Sequence, residues 1–177
     1  MTTDTISFNL TQIITWDFDM TYEVNPPQEP NPIHAKIRPI LEKIKSYTLL
    51  SPKFNELDLQ DWLANTVNGD EITTFISVPV NFTTDAPGIL TYILTNTRII
   101  KITIQRASFS ASSVYLNKVV RLNRETTGQT AEMTRQSIEF SEGPSFGLGY
   151  PKGDTYAETF FQAVDEAIRN QKQPQVT

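Results

Sequence analysis

The sequence contains no cysteine, so disulfides, thiol nucleophiles and thiolate metal sites are excluded together. Histidine is almost as scarce. His34 is the sole one, which rules out a multi-histidine metal centre, and it stands beside a proline-rich stretch that supplies neither a nucleophile elbow nor a partner acid for a triad. No stretch approaches the roughly 20 apolar residues of a membrane-spanning helix. The first residues, Met1 to Thr5, lack a basic segment followed by an apolar run. A cytoplasmic location is expected on those grounds. Positive charge is also in the minority: 15 Lys and Arg against 20 Asp and Glu give a formal −5, which counts against the whole chain coating nucleic acid.

What remains is a globular composition. Of 177 residues, 38% are hydrophobic, 10% aromatic and 20% charged, enough for one domain-sized core with an N-terminal extension. Residues 1–24 hold Ile13, Ile14, Trp16 and Phe18 among Thr and Asp and read as an extended arm. Asn25 to Pro32 carries four prolines in eight residues, a stiff connector that closes the arm near residue 30. Residues 31–70 then read as a helical segment. Ile33, Ile37, Ile40, Leu41 and Ile44 recur at helical spacing, with Pro39 as a kink or a late start. A second helix follows from Asp58 as N-cap, Leu59, Trp62, Leu63 and Val67 as its apolar stripe, and Asn68-Gly69 as its stop.

From Glu71 the texture turns to β. Seven runs rich in Thr, Val, Ile and aromatics fall at about 71–82, 88–95, 97–106, 108–115, 118–125, 132–141 and 145–150, the strand density of a sandwich or small barrel. In the third run Ile100, Ile102 and Ile104 share one face, and Lys101, Thr103 and Gln105 the other, expected to face water. The last element is an amphipathic helix whose stripe is Tyr156, Phe160, Phe161, Val164, Ala167 and Ile168, with Thr155 and Glu158 as a capping box. Residues 171–177 form a polar tail.

Seven strands followed by one helix is the order of the pleckstrin-homology-like (PH-like) superfold. The segment Tyr92 to Ile102, with its Tyr-x-Leu-Thr-x-x-Arg-hydrophobic pattern, resembles the hairpin of bacterial PH-like domains, and Val114 to Leu122 resembles the strand pair that follows. The resemblance covers residues 71–170. It implies an α+β, mostly β fold: a seven-stranded PH-like barrel or sandwich capped by the C-terminal helix, preceded by an arm and two short helices. It further implies a non-catalytic interaction module that binds a protein partner or itself as a homo-oligomer.

The sharpest chemical feature is charge segregation. Between Ala86 and Arg124 there is no acidic residue, while Arg98, Lys101, Arg106, Lys118, Arg121 and Arg124 are basic. On one exposed face they would hold an anionic lipid head group, an acidic protein segment or nucleic acid. Spread over several faces, they would pair with the acidic remainder. The phosphoinositide pocket of PH domains is not carried over, because the loop from Asn81 to Pro87 has one acid and no base. The glycine-rich stretch from Gly143 to Gly153 departs from a P-loop, since Lys152 is followed by Gly and Pro144 and Pro151 lack amide donors. Carboxylate neighbours such as Asp17 and Asp19, or Asp165 and Glu166, form no catalytic or metal constellation. No catalytic, cofactor or metal residue is assigned.

Overall fold

The computed structural model describes residues 32–47, 56–83, 86–105, 108–126 and 133–172. The extended arm, the proline-rich connector and most of the tail lie outside these residues, as does Arg106.

Two helices open the described fold. Helix α1 (Pro32–Lys45) buries Ile37, Ile40, Leu41 and Ile44, one stripe at 3 to 4 residue spacing. Pro39 lies inside this helix without ending it, because it and Ala35, the residue whose carbonyl loses its donor, both face solvent. Helix α2 (Glu56–Val67) starts two residues before Asp58, so the expected N-cap is an ordinary first-turn acid. Its stop is as expected: Asn68 and Gly69 take φ of 45° and 81°, and the Asn68 amide donates to the Ala64 carbonyl at 3.0 Å.

Seven strands follow, close to the bounds their composition predicts. Strands β1 (Ile72–Thr83), β2 (Ala86–Thr95), β3 (Arg98–Gln105) and β4 (Ser108–Tyr115) form one antiparallel sheet in that order. A 3-10 turn over Leu116–Lys118 leads to β5 (Val119–Thr126), β6 (Met133–Phe140) and β7 (Phe146–Pro151), a second antiparallel sheet. The expected loop from Asn81 to Pro87 is tighter than its sequence suggests, with Asn81 paired to Pro87 and Thr83 to Ala86.

Helix α3 (Thr155–Lys172) closes the sandwich. Its cap is Asp154, whose carboxylate accepts from the amides of Tyr156 and Ala157 at 3.0 and 3.1 Å. Thr155 is therefore already helical, and the expected capping box does not form. Phe160, Phe161, Val164 and Ile168 are buried as the stripe predicts, whereas Tyr156 is exposed and Ala157 takes the inward place.

The four-stranded sheet is the middle layer of three. On one side Ile76, Leu90, Tyr92, Leu94 and Ile99 meet Ile138, Phe146, Leu148 and Tyr150 of the second sheet and the apolar face of α3. On the other side Ile89, Ile93, Ile100, Ile102 and Ile104 meet the buried stripes of α1 and α2. Strand β3 is thus covered on both faces, and the Lys101, Thr103 and Gln105 side is half-buried rather than in water. That side lies over the second sheet, and the Lys101 ammonium sits 5.6 Å from the centre of the Phe146 ring. Two separate sheets and a closing helix make a seven-stranded sandwich with the order of elements that the sequence leads one to expect; no ladder among the described residues joins the sheets into a closed barrel.

Candidate interaction surface

The basic residues between Arg98 and Arg124 occupy different environments. Arg98 is mostly buried, with its side chain 20% exposed, and its Nε donates to Asp70 Oδ2 at 2.6 Å. One terminal nitrogen also reaches the carbonyls of Thr66 and Val67 at 3.1 and 3.3 Å, so the guanidinium satisfies the last carbonyls of α2 and ties that helix to β3. Asp70 in turn accepts from the hydroxyls of Thr95 and Thr97, in the turn between β2 and β3.

The other basic residues lie nearer the surface. Lys118 is 3.6 Å from Glu142. Arg121 binds Glu139 through two nitrogens at 3.1 and 3.3 Å, across the β5–β6 ladder where the two residues are paired. Arg124 reaches Glu158 in the first turn of α3 at 2.9 Å. Strand alternation sends Arg98 and Lys101 to opposite faces of β3, and Arg121 and Arg124 to opposite faces of β5. The structure therefore brings each of Arg98, Lys118, Arg121 and Arg124 to a carboxylate and does not collect the described basic residues on one strand face. His34, on α1, lies 3.9 Å from Asp61 of α2. Among the described residues no cluster of three or more His, Asp or Glu is placed to hold a metal ion. No described helix is long and apolar enough to cross a membrane.

Tyrosine chemistry marks the interior. The Tyr92 hydroxyl lies between the sheets and donates to the Gly147 carbonyl at 2.9 Å. Burial pushes its pKa up to about 12, against a smaller downward effect of that hydrogen bond. Tyr150 and Tyr156 are raised for the same primary reason, burial.

A sandwich of two open sheets has four edge strands, and exposed edges invite pairing unless guarded by proline, charge or a bulge. Strand β1 carries Pro79 and register shifts between Ile72 and Thr74 and between Asn81 and Thr83. Strand β7 ends in Pro151 and faces β1 across a cleft of about 510 Å³, rimmed by Tyr47, just past the end of α1, and Tyr156 of α3. The Tyr47 hydroxyl donates to the Ser77 carbonyl of β1 at 2.6 Å. Strand β5 has a register shift between Val119 and Arg121, carries Arg121, Arg124 and Glu125, and is clasped to α3 by Arg124.

Strand β4 has none of these devices. Its sequence, Ser-Phe-Ser-Ala-Ser-Ser-Val-Tyr, contains no charge and no proline. It pairs with β3 over eight consecutive residues without a register shift, from Gln105–Ser108 to Arg98–Tyr115. Six of its eight residues are exposed. The Phe109 ring lies 4.6 Å from the Trp62 ring of α2 and tilted to it, and Val114 packs on the inter-sheet core, so the strand is anchored on both faces while nothing among the described residues guards its outer edge. The run 108–115 reads as a strand from its sequence; its edge position follows only from the sheet order.

No protein-family profile matches the chain, and no curated protein matches it. Among solved structures, it is similar to a pleckstrin homology domain from Shewanella amazonensis SB2B, at 14% identity and a TM-score of 0.41 over 61% of this chain and 86% of that one. It is likewise similar to the Vps36 N-terminal PH domain, at 16% identity and a TM-score of 0.40 over 58% and 82% of the two chains. A third similar structure holds the linker and DH/PH domains of p115-RhoGEF, at 10% identity and a TM-score of 0.45, covering 80% of this chain and 42% of that one.

Proposed function

We propose that the chain is a non-catalytic protein-interaction and assembly module whose contact surface is the outer edge of β4. The observation that carries this reading is the contrast among edges: β1, β5 and β7 hold prolines, charges or bulges, and β4 holds none. A row of backbone donors and acceptors at such an edge is a template for an added strand, with main-chain hydrogen bonds supplying affinity. The partner class is a polypeptide, self or other, that presents an extended segment.

Binding of an anionic lipid or nucleic acid through Arg98, Lys101, Arg106, Lys118, Arg121 and Arg124 is the less favoured reading. Four of these residues already contact carboxylates, and Arg98 is committed to the end of α2. A bound phosphate would have to displace those partners.

The test of the assembly reading is light scattering on the purified chain over a wide concentration range, at low and high salt. Mass that rises with concentration and is indifferent to salt supports pairing through an uncharged edge. A monomer throughout, coupled with sedimentation on anionic vesicles that is lost at high salt, would reverse the preference.

A further inference from the structure

The assembly reading leaves the partner open, and the pattern along β4 narrows it to a second copy of this chain. We propose that two copies pair antiparallel through β4 about a twofold axis at Ser112, joining the four-stranded sheets into one sheet of eight; the proposal rests on the assembly reading above.

Opposed residues in an antiparallel ladder lie on the same face of the sheet, so the paired numbers must have the same parity. Two centres keep nearly the whole strand in the ladder. Centring on Ala111 sets Phe109 against Ser113 and leaves Tyr115 beyond the ladder. Centring on Ser112 sets Phe109 against Tyr115, Ser110 against Val114 and Ala111 against Ser113, with Ser112 meeting its own copy. Only the second register produces aromatic pairs, one at each end, and such cross-strand pairs are the stabilising unit of a sheet. Tyr115 is 60% exposed in the single chain, so it has surface to bury there.

Charge raises no objection. Strand β4 has no ionisable group apart from the Tyr115 phenol, so no charged side chain of β4 faces a like charge across the axis. On β3 behind it lie Arg98, opposite Tyr115, whose guanidinium reaches the Ser113 hydroxyl and is already paired with Asp70, and Lys101, opposite Ser112 and so nearest the axis. Across the axis the two Lys101 strands are separated by three strand spacings, roughly 14 Å, beyond the screening length of about 8 Å at physiological salt. The pairing is isologous: each edge consumes the other, and assembly stops at two. Eight residues a side is well below the roughly 20–30 of a standard stable interface, so the dimer should be concentration-dependent.

The chain has no cysteine, which makes single cysteines clean reporters. At the axis the two Ser112 Cα atoms would be about 4.5–5.5 Å apart, within the range a disulfide spans. The two Ser110 positions would be displaced by four residues along the strands, roughly 13 Å. Under mild oxidation at dimer-forming concentration, Ser112→Cys should convert mostly to a covalent dimer, whereas Ser110→Cys alone should remain uncrosslinked. A mixture of Ser110→Cys and Val114→Cys should crosslink. A chain beginning at Asn31 should keep its dimer.

A monomer at every concentration would overturn both this pairing and the assembly reading. A dimer that leaves Ser112→Cys unlinked, or crosslinks Ser110→Cys equally well, would overturn the pairing alone. Loss of the dimer in the shortened chain would likewise remove the β4 pairing and move assembly to residues 1–30.

Discussion

Several local constraints converge on Arg98. Its guanidinium meets Asp70, the final carbonyls of α2 and the Ser113 hydroxyl, while the Thr95 hydroxyl fixes its backbone by accepting from the Arg98 amide and donating to its carbonyl. Replacing Arg98 with Ala leaves a mostly buried carboxylate and two helix-end carbonyls without this donor. A loss of about 2–3 kcal/mol in urea unfolding is expected, in the range of hydrogen bonds to charged groups. The exposed Arg121 should cost at most about 1 kcal/mol when truncated, because surface pairs are screened. Equal losses at the two positions would contradict the structural role of Arg98.

Tyr92 supplies the pH prediction at the same scale. Its folded pKa of about 12 lies above the unfolded value of 10, so the neutral phenol is favoured by the fold. Its contribution is complete below pH 10 and is lost as pH rises toward 12, amounting to about 2–3 kcal/mol. Denaturant titrations between pH 9 and 12 should show that slope, and Tyr92→Phe should flatten it. Gly88 marks a third constraint: a Cβ there would collide with the Ile104 carbonyl and the Phe82 ring, so Gly88→Ala should lower stability by about 1–3 kcal/mol through a forced backbone shift.

At the scale of elements, helices α1 and α2 form a layer of their own on the outer face of the first sheet. Ile100 and Ile102 sit between that layer and the sheet with no exposed surface. Ile100→Ala should cost about 2–5 kcal/mol, and in hydrogen exchange the α1 and α2 amides should lose protection together with β3. Exchange in which the helices open while β3 stays protected would mean that the layer is only loosely coupled to the sheet.

The seven strands and three helices among the described residues were legible in the sequence, the strands from β-rich runs set off by turn residues and the helices from apolar stripes, such as Ile100, Ile102 and Ile104 against Phe160, Phe161, Val164 and Ile168. Caps were less legible: the sequence pointed to Asp58 for α2 and to Thr155 with Glu158 for α3, whereas α2 begins at Glu56 and the cap of α3 is Asp154, one residue earlier. The layering was not legible at all. Strand β3 looks half-exposed because Lys101 and Gln105 are polar, yet the Lys101 ammonium lies over the Phe146 ring of the second sheet, and no local pattern records that α1 and α2 cover the opposite side. For the basic residues, the sequence displayed the charge but not its partners, since Glu139, Glu142, Glu158 and Asp70 approach from other strands, turns and helices.

At the scale of the whole molecule, the three-layer arrangement covers both faces of the first sheet, so its edges are where that sheet can be recognised, while the outer face of the second sheet, with Arg135, Gly147 and Gly149, stays exposed. The uncharged β4 edge is where the account places contact between chains, and Ser108 to Tyr115 is short and polar enough to remain in solution while still offering an unguarded ladder. The most direct measurement is light scattering over a concentration series of the cysteine-free parent, followed by oxidation of Ser112→Cys and Ser110→Cys side by side. The account predicts a reversible dimer in the parent and a covalent one for Ser112→Cys alone. A parent that stays monomeric at every soluble concentration, with neither variant crosslinking, would contradict it.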